Sequence, residues 1–225
     1  RSAVAGASIA TSVLSVKLLG TIFCFTGLSN AKRGQGESMG AKEAFEKSFR
    51  ELVMKMPYFK ITVTEICREA HLSRKTFYDN FQDKEEILEA IFEDDVVKPI
   101  LTMNSLLSVN QSRDLMEMYM QNVYTPICND KEFYQRLVCP MKGVDDTFIR
   151  VVTNSLEKLN HSIMDDLAFA QGLEREYIAY FFASSQAMLM QKWIFDGMPL
   201  TPEELGSLYK KMTGSYWETN SRTLS

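Results

Sequence analysis

Little in this chain belongs to a catalytic or extracellular scaffold. The four cysteines, Cys24, Cys67, Cys128 and Cys139, are irregularly spaced and mostly set among apolar neighbours. That spacing argues against a disulfide frame or a structural zinc site and fits buried thiols in a reducing, cytoplasmic compartment. No nucleophile, base and orienting residue stand at recognisable spacings, so no enzyme chemistry is indicated and no cofactor is expected. The one glycine-rich stretch, RGQGESMG, lacks the Lys-Ser/Thr ending of a nucleotide loop. Strand-like alternation, internal repeats and low-complexity tracts are missing too. Nor is there an excess of positive charge: the formal net charge is -4, which argues against an indiscriminate polyanion binder. What is present is an apolar fraction of 45% over 225 residues, enough to fill a real core.

The first 38 residues read unlike the rest. They mix small and apolar residues with Lys17, which makes a poor membrane segment, and no exported, cysteine-paired domain follows as a signal peptide would require. Residues 1–38 are therefore expected to be a disordered or non-native leader with no membrane role. GESM is compatible with coding DNA that resembles a ribosome-binding site ahead of Met39, the candidate native start.

Charge then divides the remainder. Residues 39–84 hold nine Lys or Arg against seven Asp or Glu, whereas residues 85–225 sum to -9. A short basic module on an acidic body follows. Within the module, Ala44, Phe45, Phe49, Leu52, Val53 and Met56 recur at helical spacing, and Pro57 ends that helix. Thr62 with Glu65 forms a capping-box pattern for a helix from Val63 to about Ala70. His71 and Leu72 make a joint, Ser73 caps a helix from Arg74 to about Asn80, and Asp83 with Glu86 caps a fourth running to about Val97. Helices this short are marginal alone and must share a core, for which Ile66, Leu72, Phe77 and Phe81 are available.

Helix, tight joint, helix is the geometry that lays one helix in a DNA major groove while its neighbour braces it. Helix starts suit phosphate oxygens, because unpaired N–H groups and the dipole point outward; Thr62, Ser73 and Lys84 stand at such starts. Arg74 and Lys75 offer donors to guanine acceptors, and the Thr76 methyl suits thymine. Tyr78 sits at the edge of this polar face. Spacing alone leaves a generic helical corner as the competing reading.

The stretch TVTEICREAHLSRKTFYDNFQDKEEIL narrows the choice, with Val63, Ile66, Ala70, Leu72, Ser73, Phe77, Tyr78, Phe81, Lys84 and Leu88 in register. Residues 41–97 resemble the amino-terminal domain of the TetR/AcrR family of bacterial transcriptional regulators. The resemblance implies a homodimer on a palindromic double-stranded DNA operator, with a larger helical domain that carries dimer contacts and often an inducer pocket. It also implies that Thr62, Tyr78 and Lys84 hold phosphates and that Ser73, Arg74, Lys75 and Thr76 face bases or backbone. His71 stands where the family usually has Gly, and Asn80 where His or Tyr is common. A histidine in a left-handed turn would carry some strain.

The expected architecture is all-α with about nine helices: residues 39–98 as a three-helix DNA-binding domain and 99–225 as a helical regulatory and dimerisation domain, with Pro99 at the boundary. Helices are expected at about 100–107, 113–128, 132–137, 145–169, 175–195 and 202–217. Tyr177, Tyr180, Phe181, Ser184, Ala187, Met188 and Gln191, with Leu208 and Met212 on the last helix, offer more apolar coverage than one internal seam requires and are the candidate dimer face. Met116, Tyr119, Met120, Tyr124, Phe148, Val152 and Phe182 are the candidate effector pocket, although such residues also fill ordinary cores. His161 has helical spacing to Asp165 and Asp166 but reads as a solvated polar face, and no metal site is expected. The function these expectations describe is a DNA-binding repressor released or recruited by a small apolar or amphipathic effector. A protein coregulator in place of that effector, or an interaction dimer without DNA binding, are the alternatives.

Overall fold

The computed structural model describes residues 40–106, 112–138, 146–167 and 172–221; the expected leader, Cys24 and Cys139 lie outside the described residues. Helix α1 (Ala41–Lys55) turns Phe45, Phe49, Leu52 and Val53 inward and its charges outward, as the periodicity requires. It ends where Met56 swings into an extended conformation ahead of Pro57. A single 3-10 turn (Tyr58–Lys60) leads to α2 (Val63–Ala70) and α3 (Arg74–Tyr78). Their shared core is aromatic: the ring of Phe77 lies edge-on to Phe45 at 5.2 Å and 5.9 Å from Phe81. Each such ring removed from water contributes about 1.5–3 kcal/mol, which is how a three-helix unit with a helix as short as α3 holds together.

Asp83 caps α4 (Lys84–Phe92) by accepting from the backbone N–H groups of Glu85 and Glu86 at 2.8 and 3.0 Å. The helix expected to end at about Val97, with a new one from about residue 100, is not interrupted there. A π turn (Glu93–Val97) carries it without interruption into α5 (Lys98–Leu106). Through that turn the bond pattern widens, so that the Lys98 N–H reaches Glu93 O, five residues back. The extra residue shifts the register just where Pro99 supplies no N–H, and the helix continues instead of stopping.

Beyond it run α6 (Ser112–Asn129), α7 (Lys131–Leu137), α8 (Thr147–Leu167), α9 (Gly172–Phe195) and α10 (Pro202–Ser221). Counting the continuous run from α4 to α5 as one rod, nine helical rods and no strand stand among the described residues. Helix α9 packs along α8, where the Asn160 amide donates to Ala179 O at 3.1 Å. Helix α10 packs along α6, burying Leu205 and Tyr209. Thr201 and Glu204 cap α10 reciprocally at 2.8 and 3.2 Å, with Pro202 at the first helical position. No helix among the described residues is long and apolar enough to cross a membrane.

Three groups of side chains tie the first helices to the later ones. Arg150 forks onto Glu85 at 2.6 and 3.1 Å, and Lys158 meets Glu89 at 2.5 Å. Arg50, on α1, reaches Asp95 in the π turn and Asp130 before α7, each at 2.6 Å.

Candidate functional site

The α2–α3 pair is built by its caps. Thr62 Oγ1 accepts from the Glu65 N–H at 3.3 Å, and the Glu65 carboxylate accepts from the Thr62 N–H at 2.8 Å. These hydrogen bonds hold the Glu65 carboxyl below the usual carboxylate range. At the other end of α2, His71 takes a left-handed conformation with φ 55° and ψ 33°, and the Leu72 N–H closes back onto Cys67 O at 3.0 Å. His71 therefore takes the left-handed conformation itself and bears its cost. Ser73 then caps α3 by accepting from the Thr76 N–H at 3.0 Å.

Of the seven candidate DNA contacts, Thr62, Ser73, Arg74, Lys75 and Tyr78 are exposed and Thr76 and Lys84 half-buried. Lys75 is exposed, and Tyr78 is 52% exposed while its ring rests edge-on against buried Phe77 at 5.4 Å. Arg74 lies over the Tyr78 ring and donates to Tyr78 Oη and Thr64 Oγ1 at 3.3 Å each, which links α3 to α2. The Thr76 hydroxyl is paired with Ser73 Oγ at 2.8 Å, and Asn80 Nδ2 donates to Thr76 O at 2.8 Å just past the end of α3. Lys84 differs most from its expected role. Its ammonium donates to Tyr58 O and Ile61 O at 3.1 Å each and stands 4.1 Å from the Tyr58 ring centre. In this state Lys84 clamps the segment that feeds α2, a role invisible in sequence because its acceptors are backbone groups more than twenty residues earlier.

On α9, Tyr177, Tyr180, Phe181 and Met188 are exposed, Phe181 by 64%, and Leu208 and Met212 are exposed on α10. Ser184 and Gln191 are half-buried beside them. Ala187 is a correction: it is fully buried within its own protomer, on the α9 face that also carries Ala179, Ala183 and Met190, and has no surface to offer a partner. Sequence reasoning missed Leu173 and Phe195, which are exposed and continue the same stripe. The signal was there, since Leu173 precedes Tyr177 by one helical turn.

Of the candidate pocket residues, Tyr119, Met120, Tyr124, Phe148, Val152 and Phe182 are all buried in one apolar cluster; the side chain of Met116 lies outside the described residues. Two polar groups that the sequence reading passed over stand with them. Gln186 Nε2 donates to Tyr209 Oη at 3.3 Å and lies 3.9 Å from Met120 Sδ, and Tyr124 stacks edge-on against Trp193 at 5.2 Å. Burial pushes the Tyr119 and Tyr124 phenols far up, so both remain neutral donors.

His161 meets Glu176 on α9, with Nε2 and Oε2 3.4 Å apart, and Glu157 brings a third ligand atom so that all lie within 4.8 Å of one another. The side chains of Asp165 and Asp166, its expected neighbours, lie outside the described residues. Glu176 is exposed, whereas Glu157 and His161 are half-buried.

A capped helix pair with an exposed cationic and phenolic face, set on a larger helical body, defines a helix-turn-helix protein. Residues 50–91 match the family model described as bacterial regulatory proteins, tetR family, and residues 112–214 match one described as a transcriptional regulator C-terminal region. The chain belongs to the TetR family of transcriptional regulators and is a DNA-binding regulator, not an enzyme. It is 25% identical over 166 residues to the HTH-type dhaKLM operon transcriptional activator DhaS of Lactococcus lactis subsp. lactis (strain IL1403), covering 73% of this chain and 84% of that protein. The HTH-type transcriptional regulator YxbF of Bacillus subtilis (strain 168) is 38% identical over 53 residues, 23% of this chain and 14% of that protein. Among solved structures, the dihydroxyacetone kinase operon activator DhaS superposes with a TM-score of 0.52 at 22% identity, over 81% of this chain and 99% of that one. A TetR-family regulator from Syntrophomonas wolfei str. Goettingen superposes with a TM-score of 0.54 at 15% identity, over 78% and 94%. At those identities the likeness speaks for the fold.

Proposed function

We propose that two copies of this chain bind a palindromic operator in the cytoplasm through residues 39–98, while residues 99–225 hold the dimer together and receive the regulatory signal. The single observation that carries the reading is the outward face of α3, where Lys75 and Tyr78 are exposed and Arg74 is braced on Tyr78 and Thr64. Lys75 and Arg74 suit guanine acceptors, whereas Tyr78, Thr62 and Ser73 suit phosphate oxygens. The apolar stripe of α9 with Leu208 and Met212 on α10 supports a dimer of two helices from each protomer.

The signal is a small molecule that enters the body of helices α6 to α10 and alters the spacing of the two reading units, so that operator affinity changes by population shift. Unpaired polar atoms inside that body favour this over control by a protein surface. Repression is the reading taken from the sequence; the likeness to DhaS, named as an operon activator, favours activation as the second.

The test is fluorescence anisotropy with labelled DNA from the region upstream of the chain's own gene, repeated at several salt concentrations. Binding that exceeds binding to scrambled DNA by about a thousandfold or more, with affinity falling steeply as salt rises, is expected. Equal binding to both DNAs at low salt would remove the operator from the account. Transcription from the same promoter with and without the protein decides between repression and activation.

A further inference from the structure

The buried centre of the regulatory body holds polar atoms that its own fold leaves unsatisfied. Tyr119 Oη, Tyr124 Oη and Gln186 Oε1 are out of contact with solvent and have no hydrogen-bond partner. An unpaired buried hydroxyl or carbonyl costs about 1–3 kcal/mol each, and each one in a native structure calls for an explanation. They are also close together. The Tyr119 hydroxyl feels the hydroxyls of Tyr209 and Tyr124, and Tyr209 Oη is the acceptor for the Gln186 amide at 3.3 Å. Residues from α6, α9 and α10 therefore converge on one point.

The character of that point is unusual in a second respect. Among the described residues, the groups that act on the hydroxyls of Tyr119 and Tyr124 are uncharged: the phenols of Tyr209 and Tyr124. A carboxylate or ammonium ligand would arrive with no counter-charge and lose its hydration in full. A wholly apolar ligand would leave the three atoms as unpaired as before. Apolar neighbours flank the cluster nonetheless, since Gln186 lies against Met120 Sδ at 3.9 Å and Trp193 stacks on Tyr124.

We propose that this centre binds an uncharged amphipathic alcohol or hydroxy ketone, whose hydroxyl or carbonyl groups meet Tyr119, Tyr124 and Gln186 while its hydrocarbon part lies toward Met120 and Trp193. The inference rests on the effector reading above and names the chemical class that effector belongs to. Each tyrosine donates its O–H to a ligand oxygen, and Gln186 Oε1 accepts from a ligand hydroxyl.

The experiment uses the full chain and three probes of one chain length: 1,2-hexanediol, hexanoate and hexylamine. Binding is read from the fluorescence of Trp193 in a Trp217→Phe background and from the melting temperature, without DNA. The diol is expected to give a saturable change that the two charged probes do not. Tyr119→Phe and Tyr124→Phe are expected to weaken diol binding about tenfold or more while leaving the ligand-free protein at least as stable as before, because each removes a polar atom that had no partner. Two results would overturn the proposal: charged probes that bind as well as the diol, or Phe variants that bind it unchanged. A marked loss of ligand-free stability in the Phe variants would overturn it too, by showing that the hydroxyls already serve a structural partner or a buried water. Adding the diol to the operator titration separates the two levels of the argument. Diol binding with unchanged operator affinity removes the effector role and leaves the binding site standing.

Discussion

Arg50 and Asp95, 45 residues apart in sequence, meet at 2.6 Å between the first helix of the DNA-binding unit and the π turn that carries the chain into the regulatory body. The same guanidinium donates to Asp130 at 2.6 Å and lies over the Phe133 ring, while Tyr134 Oη donates to Asp95 at 2.7 Å. One fork-shaped cation thus binds α1 to two later segments at once, and under the proposed function it is the link to test for passing a change in the later helices to the reading helices. Lysine has the charge but not the fork. Arg50→Lys is expected to destabilise the protein by about 1–3 kcal/mol in urea unfolding, since one acidic partner is left unpaired in a partly buried place. It should also reduce any effect of effector on operator affinity more than it reduces operator affinity itself. An unchanged effector response would show that the signal travels another way.

On the reading face, Lys75→Ala should weaken operator binding by about 1–3 kcal/mol and relax preference at one base position, whereas Tyr78→Phe should weaken all sequences alike. Lys84→Ala tests two roles together. Release of its ammonium onto a phosphate would reduce the salt slope by about one, and loss of its bonds to Tyr58 O and Ile61 O would lower stability in the absence of DNA. Anisotropy across a set of mutated operators, paired with thermal unfolding, distinguishes these outcomes.

Two neighbouring positions on α9 should behave oppositely. Phe181→Glu places charge on the exposed stripe and is expected to give a folded monomer with much weaker operator binding. Ala187→Leu adds volume inside the protomer and is expected to cost about 1–3 kcal/mol of stability without a change in assembly. Sedimentation velocity and urea unfolding on both variants check the pair.

Glu46, on α1, has an unpartnered carboxylate oxygen, and burial followed by the nearby charge of Asp94 raises its pKa. A carboxyl whose pKa is raised on folding contributes most below its unfolded pKa, and that contribution is lost as the pH climbs through the folded value. Glu46→Gln should therefore stabilise the protein at neutral pH, by less than about 1 kcal/mol after solvent screening, with the gain vanishing near pH 4 and below. Melting curves at several pH values read the difference directly.

His71 holds φ 55° at the end of α2. His71→Gly removes a clash worth roughly 1–2 kcal/mol but loosens the unfolded chain, so a net gain of about 0.5–1 kcal/mol is expected in urea unfolding, with operator preference unchanged.

The order of helices and the caps at Thr62, Ser73, Asp83 and Thr201 were legible in the sequence, because capping and helical periodicity act over three or four residues. So was the outward face of α3, which follows from which residues that short helix must bury. Pro99 misled because a π turn depends on bonds five residues apart, and no side-chain pattern announces it. Tertiary structure alone decided that Arg50 joins Asp95 and Asp130, that Lys84 turns onto the backbone, that Ala187 faces inward on a helix with apolar residues on more than one face, and that Gln186 is buried beside two unpaired tyrosine hydroxyls. Each of those depends on which elements pack together, and packing brings into contact residues whose distance along the chain carries no periodic signal.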